Sequence, residues 1–431
     1  MAEPVVVIGV GVDGLNSLSR QARQWIDRAD QLWGSERLLT LFPEFSGTRV
    51  TLARDIAAAL QTLKTRREDE HIVLLASGDP GFFGLGSTLL KILPPAEVVL
   101  IPQVSTLQIA FARARLSWHD AHLTSAHARP LAEVIGLARR FRKLGILTDP
   151  QHTPALLAEK LLATGIPDCR AIVGENLGEA REAITETQLS GLIGRAFSDL
   201  NVLMLVQDED WQPAPLLRLR PDNAYAHRNG LITKIDIRAL CLSRLALRET
   251  DVVWDIGAGS GAVSIEMAEL AWRGRVFAIE KDAECLGHLQ ENIARFGVLN
   301  LEIIAGEAPF ALQGLPAPDA VFLGGSSGQL QKILVAVAET ARPGCRITAT
   351  FAILENMLQA YAWLKQAGWK PALTQAQMAY GAPLADGIRL APSNPIFNPS
   401  CYLVGELKTP WSSVTVTGLQ TKTGNGELHG H

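Results

Sequence analysis

The sequence predicts an α/β protein of mostly parallel sheets arranged in two domains, and three observations carry that prediction. Short all-apolar runs alternate with stretches of helical periodicity along most of the chain, the pattern of a parallel layer covered by helices on both faces. Two of those runs, PVVVIG at 4–9 and VVWDIG at 252–257, end in glycine-rich turns that open helices. Between them, residues 207–225 carry three prolines, several charges and no periodicity, which reads as a linker. At 431 residues the chain exceeds the roughly 250–300 that one hydrophobic core serves. The expected domains are therefore residues 1–206 and 226–407, followed by a loose polar tail at 408–431.

In the first domain, the opening strand passes through Gly9-Val10-Gly11-Val12-Asp13-Gly14 into a helix from Leu15 to Ala29. A helix from Asp55 to Lys64 precedes the strand HIVLLASGD. That strand breaks at Ser77-Gly78-Asp79-Pro80-Gly81-Phe82-Phe83-Gly84, ahead of a helix to Leu93. EVVLIP is the next strand, and Ser105-Thr106 caps the helix after it. A second run follows: ARRFRKLGILTD, a helix through Leu162, and the strands AIVGEN and NVLMLV. In the second domain, Thr233-Lys234-Ile235-Asp236 reads as a capping box, with aspartate replacing Glu or Gln, for a helix to about Leu247. Helices are expected at Ala283–Phe296, Gln329–Ala341 and Glu355–Ala367, with strands NLEIIAGEAP, DAVFLGGSSG and CRITATFAI between them. From Pro383 to Lys408, two long strands around an extended loop suggest an antiparallel end to the sheet.

Composition narrows the function. Apolar residues make up 47% and charged residues 19%, enough apolar material for packed cores. A net charge of −4 argues against a nucleic-acid or membrane-surface partner, either of which favours a basic excess. The five cysteines are scattered without CxxC spacing, so neither a disulfide framework nor a zinc site is implied. The N-terminus enters a strand at once, with no basic region of a signal peptide, and no run approaches the ~20 apolar residues of a membrane span. A soluble protein of the cytoplasm, with no metal, is expected.

The turn after Val252-Val253-Trp254 places Gly257, Gly259 and Gly261 where bare backbone and a helix N-terminus can approach a ligand. Gly257-x-Gly259-x-x-Ala262 also satisfies a relaxed dinucleotide fingerprint. Asp255, two residues before the first glycine, suits a cationic ligand better than a pyrophosphate. Glu280, ending the strand GRVFAIE, can accept hydrogen bonds from both ribose hydroxyls. Together the two acids favour S-adenosylmethionine (SAM), which carries a sulfonium and an amino group. Glu307 and Ala308, after the next strand, fit the adenine side of such a pocket. Gly324, Gly325, Ser326 and Ser327 would leave room for a bulky substrate beside the transferable methyl.

In the first domain, Gly78, Gly81 and Gly84 let the chain approach a ligand at a strand's carboxyl end, Pro80 stiffens the turn, and Asp79 can orient an amino group. Of the histidines, His227 stands out, just before the Thr233 helix. His71, His119, His122, His127, His152 and His288 lack metal-ligand spacing and read as solvated or satisfied, and His429 and His431 fall in the tail.

These residues carry a family resemblance. The first ~205 residues resemble the tetrapyrrole (corrin/porphyrin) methylases, two-lobed α/β enzymes that hold SAM between their lobes. The matching residues are the opening strand with Gly9-Val10-Gly11, the SGDPGFFG loop, Ser105-Thr106, the ILTD strand end and GENLGEAR. The turn GVGVDG departs from the GxGPGDP of most of that superfamily and fits its C5-methylating branch. Residues ~226–407 resemble a Rossmann-like class I SAM methyltransferase, the precorrin methylase that also decarboxylates. The match runs through GLITKIDIRAL, VVWDIGAGSGAVSIE, FAIEKD, GEAP and FLGGSSGQL. The fused order is similar to the decarboxylating precorrin C5,15-methyltransferases of cobalamin biosynthesis. The resemblance implies C5 methylation by the first domain, and C15 methylation with loss of the ring C acetate carboxylate by the second.

It implies two SAM sites per chain and a small tetrapyrrole substrate, with no nucleic-acid or membrane partner. The cofactor-binding residues would be Gly9, Gly11, Gly78, Asp79, Pro80, Phe82, Ser105, Thr106 and Thr148 in one site. In the other they would be Thr233, Asp255, Gly257, Gly259, Gly261, Glu280, Glu307 and Ala308. His227, Lys234, Ser326 and Ser327 are the candidates for catalysis, and Gly324 and Gly325 border the substrate. Arg228, Arg238 and Arg389 are candidates for its carboxylates, and a homodimer or tetramer is expected. Three rivals stay open: a tRNA methyltransferase with a similar core, a dinucleotide-dependent oxidoreductase, and a chain in which one half is inert.

Overall fold

The computed structural model describes residues 3–52, 56–65, 70–127, 129–215, 217–228, 231–392 and 396–402. The expected tail at 408–431 and the helix start at Asp55 lie outside them. The chain forms two compact units that divide after Pro215.

The first unit holds two five-stranded sheets. One comprises β1 (Val5–Val10), β2 (Gln31–Gly34), β3 (Thr48–Thr51), β4 (Ile72–Ser77) and β5 (Val98–Ile101). It runs β3-β2-β4-β1-β5 with every pairing parallel. All six residues of β1 are buried because it faces two cores at once. Val6, Ile8 and Val10 pack with Leu18, Ala22 and Ile26, while Val5 and Val7 pack with Leu60, Leu63 and Leu89. An unbroken apolar run is thus a central strand.

The other sheet comprises β6 (His122–Ser125), β7 (Lys143–Leu147), β8 (Arg170–Glu175), β9 (Ala183–Gln188) and β10 (Asn201–Val206), in the order β6-β7-β10-β8-β9. Only β6 and β7 pair in parallel. The connection from β8 to β9 contains no helix, and a short connection suits an antiparallel pair, since a parallel one needs a crossover of a dozen or more residues.

The second unit is organised on β11 (Val252–Ile256), β12 (Arg275–Glu280), β13 (Leu301–Ala305), β14 (Ala320–Leu323), β15 (Arg346–Ala349) and β16 (Lys370–Ala376). β17 (Ala379–Leu384) and β18 (Gly387–Pro392) pair as a separate antiparallel hairpin, and β19 (Ile396–Tyr402) completes the main sheet, β13-β12-β11-β14-β15-β19-β16. The first five strands of that order pair in parallel, and β19 is antiparallel to both neighbours. Of the two strands expected after Pro383, one therefore belongs to the hairpin and the other to the sheet. The chain leaves β11 toward β12 on one side and returns through β14 on the other, so the crevice outside the β11 and β14 ends is the switch point where open α/β sheets take ligands.

Local differences have local causes. The helix expected from Leu15 begins at Arg20, capped by Ser19. Residues Gly14–Ser17 form a 3₁₀ turn in which the Ser17 hydroxyl accepts from Gly11 N–H and donates to the Gly14 carbonyl. Ser105 forms a full capping box with Gln108. The Thr233 capping box does not form. The helix Ile235–Leu245 starts after Lys234, its first N–H donates to Asp222 Oδ1 at 3.0 Å, and Thr233 offers its carbonyl to Arg238. A carboxylate from outside the helix takes the capping position because Arg238 already holds it there, at 2.8 Å.

Candidate active sites

In the second unit, Gly257, Gly259 and Gly261 adopt φ of +75°, +57° and +79°, a region costly for side chains with a Cβ. A Cβ on Gly257 would lie 2.7 Å from Gly325 N, so β11 and β14 turn past each other on bare backbone. Gly324 is equally tight, 3.0 Å from the Gly257 carbonyl. In front of these turns lies an open recess of about 160 Å³ lined by Gly257, Glu280, Lys281, Glu307, Ala308, Gly325, Ser326 and Ser327, among others. Glu280 is pre-positioned: its Oε2 accepts from Gly259 N–H at 2.8 Å, and its Oε1 from Lys281 and Asp282 N–H at 2.8 and 2.9 Å. Lys281 reaches across to Glu307 at 2.7 Å, both half exposed at the rim.

Asp255 is not among the residues lining this recess. It is fully buried, accepts a hydrogen bond from the Ser264 hydroxyl, and its other oxygen has no partner among the described residues. Burial, opposed by that hydroxyl, pushes its pKa up to about 7. Gly259 and Gly261 likewise shape the turn from outside the lining.

The residues before the helix Ile235–Leu245 divide. His227 is partly exposed and Lys234 is exposed, with its Nζ 3.6 Å from Asp222. Arg228 reaches the start of the helix Ala283–Phe296, donating to Glu284 at 3.0 Å and lying 3.7 Å from the capping residue Asp282. Arg238 is a core residue and no surface charge: fully buried, it donates to both oxygens of Glu266, to Asp222 and to two carbonyls. Arg389 is exposed on β18, outside the recess.

One residue that sequence reading passes over links these parts. Asn292, fully buried on the helix Ala283–Phe296, donates to the Ser260 carbonyl of the glycine turn at 2.9 Å. It also exchanges two 2.8 Å bonds with the backbone of Ala226, next to His227. The available signal was a polar residue three positions after Leu289, on the helix's buried stripe. Asn292→Ala is expected to cost about 1–3 kcal/mol, the penalty for leaving buried polar groups unpaired. Urea denaturation would measure the loss, and S-adenosylhomocysteine titration would show a weakened site. An unchanged affinity would mean that the turn holds its shape without this amide.

In the first unit, β1 and β4 end side by side. A Cβ on Gly9 would lie 2.2 Å from the Gly78 carbonyl and 2.8 Å from Gln103 Cβ; one on Gly11 would lie 2.9 Å from Ser17 Cβ. Gly78, at φ +66°, runs over the Ser105-Thr106 backbone, where a Cβ would sit 3.3 Å from Ser105 Cα. Gly9, Gly11, Gly78, Ser105 and Thr106 are thus one cluster, with Gln103 tying it to Ser17. Asp79 Oδ1 accepts from Gly81 N–H at 2.8 Å, and the Pro80 carbonyl receives Gly86 N–H at 3.0 Å, so both stiffen the SGDPGFFG loop. Phe82 packs on Leu107, Phe111 and Leu177, among the residues that bury the face of the second sheet, together with Leu147. Its neighbour Thr148 bonds its hydroxyl to the Asn201 carbonyl at 2.7 Å. The GENLGEAR segment closes on the first glycine turn, where a Cβ on Gly178 would strike Val12 at 2.2 Å.

Two family descriptions match the chain: tetrapyrrole (corrin/porphyrin) methylases over residues 4–193 and a precorrin methyltransferase domain over residues 223–401. A precorrin-6Y C(5,15)-methyltransferase (decarboxylating) from Sinorhizobium sp. is 33% identical over 399 residues, 87% of this chain and 96% of the relative. A cobalt-precorrin-7 C(5)-methyltransferase of Salmonella typhimurium is 34% identical over 47% of this chain and 99% of its own length. From the same organism, a cobalt-precorrin-6B C(15)-methyltransferase (decarboxylating) is 39% identical over 40% of this chain and 90% of its own.

Proposed function

The chain belongs to the precorrin-6Y C(5,15)-methyltransferase (decarboxylating) family, and on that premise we propose that its two units divide the chemistry. The first unit methylates C5. The second methylates C15 and removes CO₂ from the ring C acetate, acting on the reduced precorrin-6 stage to give precorrin-8. The observation that carries this reading is the pair of independent glycine cradles, one in each unit. Each lies at the carboxyl end of a central parallel strand, where only a missing Cβ lets neighbouring backbone pass. Two shorter relatives, named for the C5 and the C15 reactions, each match a little under half of the chain, which supports the division.

When bound, SAM supplies an electrophilic methyl on a sulfonium. The protein's task is to place that methyl in line with an enamine-like meso carbon, and positioning of this kind is worth roughly 7–11 kcal/mol. In the second unit Glu280 would take the ribose, Glu307 and Ala308 the adenine side, and Gly257 the chain between. Asp255 would act beneath the turn, setting the field there. Ser326 and Ser327, with Gly324 and Gly325, would border the macrocycle. The recess is smaller than the roughly 300–1,000 Å³ of typical ligand sites, so much of the cofactor would lie in its open mouth. His227 and Lys234 are the candidate proton carriers, Arg228 and Arg389 the candidate partners of substrate carboxylates. The protonated macrocycle can accept the electrons released with CO₂.

In the first unit the Gly9–Gly11–Gly78 cluster would hold SAM, with Ser105 and Thr106 below it, Asp79, Pro80 and Phe82 beside it, and Thr148 on the facing sheet. The proposed domains are 1–206 and 226–407 joined by 207–225, a segment whose Leu219, Arg220, Ala224 and Tyr225 pack onto the second unit, in a homo-oligomer of the cytoplasm. On one face of the hairpin, Ile388 and Leu390 are 80% and 73% exposed, an apolar surface suited to a second copy. Among the described residues no helix is long and apolar enough to cross a membrane.

Titration calorimetry of the whole chain with SAM tests the division: two sites per chain are expected. A single site would mean that one unit does something else, and NAD(P) binding in place of SAM would overturn the reading.

A further inference from the structure

His127 and His152, which their spacing gave no reason to connect, converge on one buried carboxylate. Asp149 follows β7 and is only 8% exposed. It accepts backbone N–H bonds from Gln151 and His152 at 2.8 and 2.6 Å, and His152 Nδ1 lies 3.1 Å from its Oδ1. A local turn accounts for that much. It does not account for His127, which arrives from the end of β6 with Nδ1 3.6 Å from Asp149 Oδ2. Its backbone N–H is fixed by the buried Ser125 hydroxyl at 3.2 Å. The side chain of His127 is 73% exposed, so its ring rests on Asp149 by one nitrogen and presents the rest to open space. Two residues on, Arg129 lies over the Phe83 ring at 4.9 Å while bonded to Glu133 at 3.2 Å. Phe83 belongs to the SGDPGFFG loop, so the segment that carries His127 lies against the loop of the proposed SAM cradle of this unit.

We propose that His127 is the proton acceptor of the C5 methylation and that Asp149 is its positioning residue. The inference rests on assigning the C5 reaction to the first unit. Replacing a meso hydrogen by methyl needs such a group. The C5 π pair forms the new C–CH₃ bond, and the S–CH₃ bond breaks with its electrons to sulfur, giving S-adenosylhomocysteine. The cation left on the macrocycle then loses the C5 proton, whose bonding pair restores the conjugation. That proton goes to the imidazole of His127, and the charge of the Asp149 carboxylate, 3.6 Å from its Nδ1 and also held by His152, stabilises the imidazolium that results.

The test uses the full chain with its precorrin substrate and product masses as the readout. His127→Ala is expected to lose C5 methylation by about 10²-fold or more, the usual worth of a general base. C15 methylation, CO₂ loss and SAM stoichiometry by calorimetry should stay as in the parent. Added imidazole should restore part of the lost C5 methylation, which it would not do for a structural defect, and Asp149→Asn should lower kcat with little change in KM. C5 methylation within about threefold of the parent, or a loss that imidazole does not restore, would overturn the proposal. Loss of C15 methylation in place of C5 would overturn the assignment of reactions to units instead.

Discussion

Arg238→Ala is expected to destabilise the second unit by about 3–5 kcal/mol, the cost of removing one partner from a buried ion pair. The guanidinium is fully buried and its Nε lies 3.1 and 3.0 Å from the two oxygens of Glu266, itself buried on the helix behind the glycine turn. Its other nitrogens hold Asp222, the Thr233 carbonyl and the Arg220 carbonyl. Glu266 also accepts from the Tyr225 hydroxyl at 2.9 Å, and Arg220 pairs with Glu269 at 2.6 Å. One side chain thus fastens the chain's entry into the unit onto the helix that supports the glycine turn. Arg238→Lys should recover little, because an ammonium cannot serve acceptors fixed by a planar fork.

The loss should depend on pH. Burial already raises the pKa of Glu266 despite Arg238. Without the arginine, the folded state holds that proton more tightly still, while the unfolded chain releases it near the ordinary value. Stability of the variant therefore falls as pH rises between those two values, and the deficit should be smaller at pH 5 than at pH 8. Urea denaturation, with hydrogen exchange of peptides covering β11 and the following helix, would show it. A deficit below about 1 kcal/mol would mean that Glu266 and Asp222 find other partners.

Gly257→Ala and Gly9→Ala are each expected to remove one of the two proposed SAM sites and spare the other. At Gly257 an alanine meets both a positive φ, worth about 1–3 kcal/mol, and the Gly325 backbone 2.7 Å away. At Gly9 the obstacle is the Gly78 carbonyl at 2.2 Å, which can yield only if β1 and β4 separate at their ends. Either change should weaken its site by about 100-fold, roughly 2.7 kcal/mol. Calorimetry should fall from two sites to one in each variant, with Gly9→Ala losing C5 methylation and Gly257→Ala losing C15 methylation and CO₂ release. Two undiminished sites in either variant would refute the cradle assigned to it.

The central strands were legible because burial on both faces writes itself as an unbroken apolar run, and the helix Ala283–Phe296 because its stripe is regular and Asp282 caps it. β2 and β3 were not legible: four residues each, QLWG and TRVT, they carry no period, and β2 becomes a strand only by lying beside β4, and β3 by lying beside β2. The glycine turns also announced themselves, since positive φ and close backbone approach admit almost nothing else. Capping at Thr233 misled, because the motif states a local preference and Asp222 overrode it from outside the helix.

One segment at a time, the sequence encodes the two glycine turns, the strands that bear them, and a resemblance spanning most of the chain. The tertiary structure decided which side chains meet. It turned Asp255 inward to Ser264, took Arg238 from the candidate partners of substrate carboxylates into the core, placed Asn292 between the glycine turn and Ala226, and brought His127 to Asp149. Each of these depends on contacts between distant segments, and a buried polar group takes the partner that packing brings within reach. Local spacing holds no record of that partner, so only the folded chain reveals it.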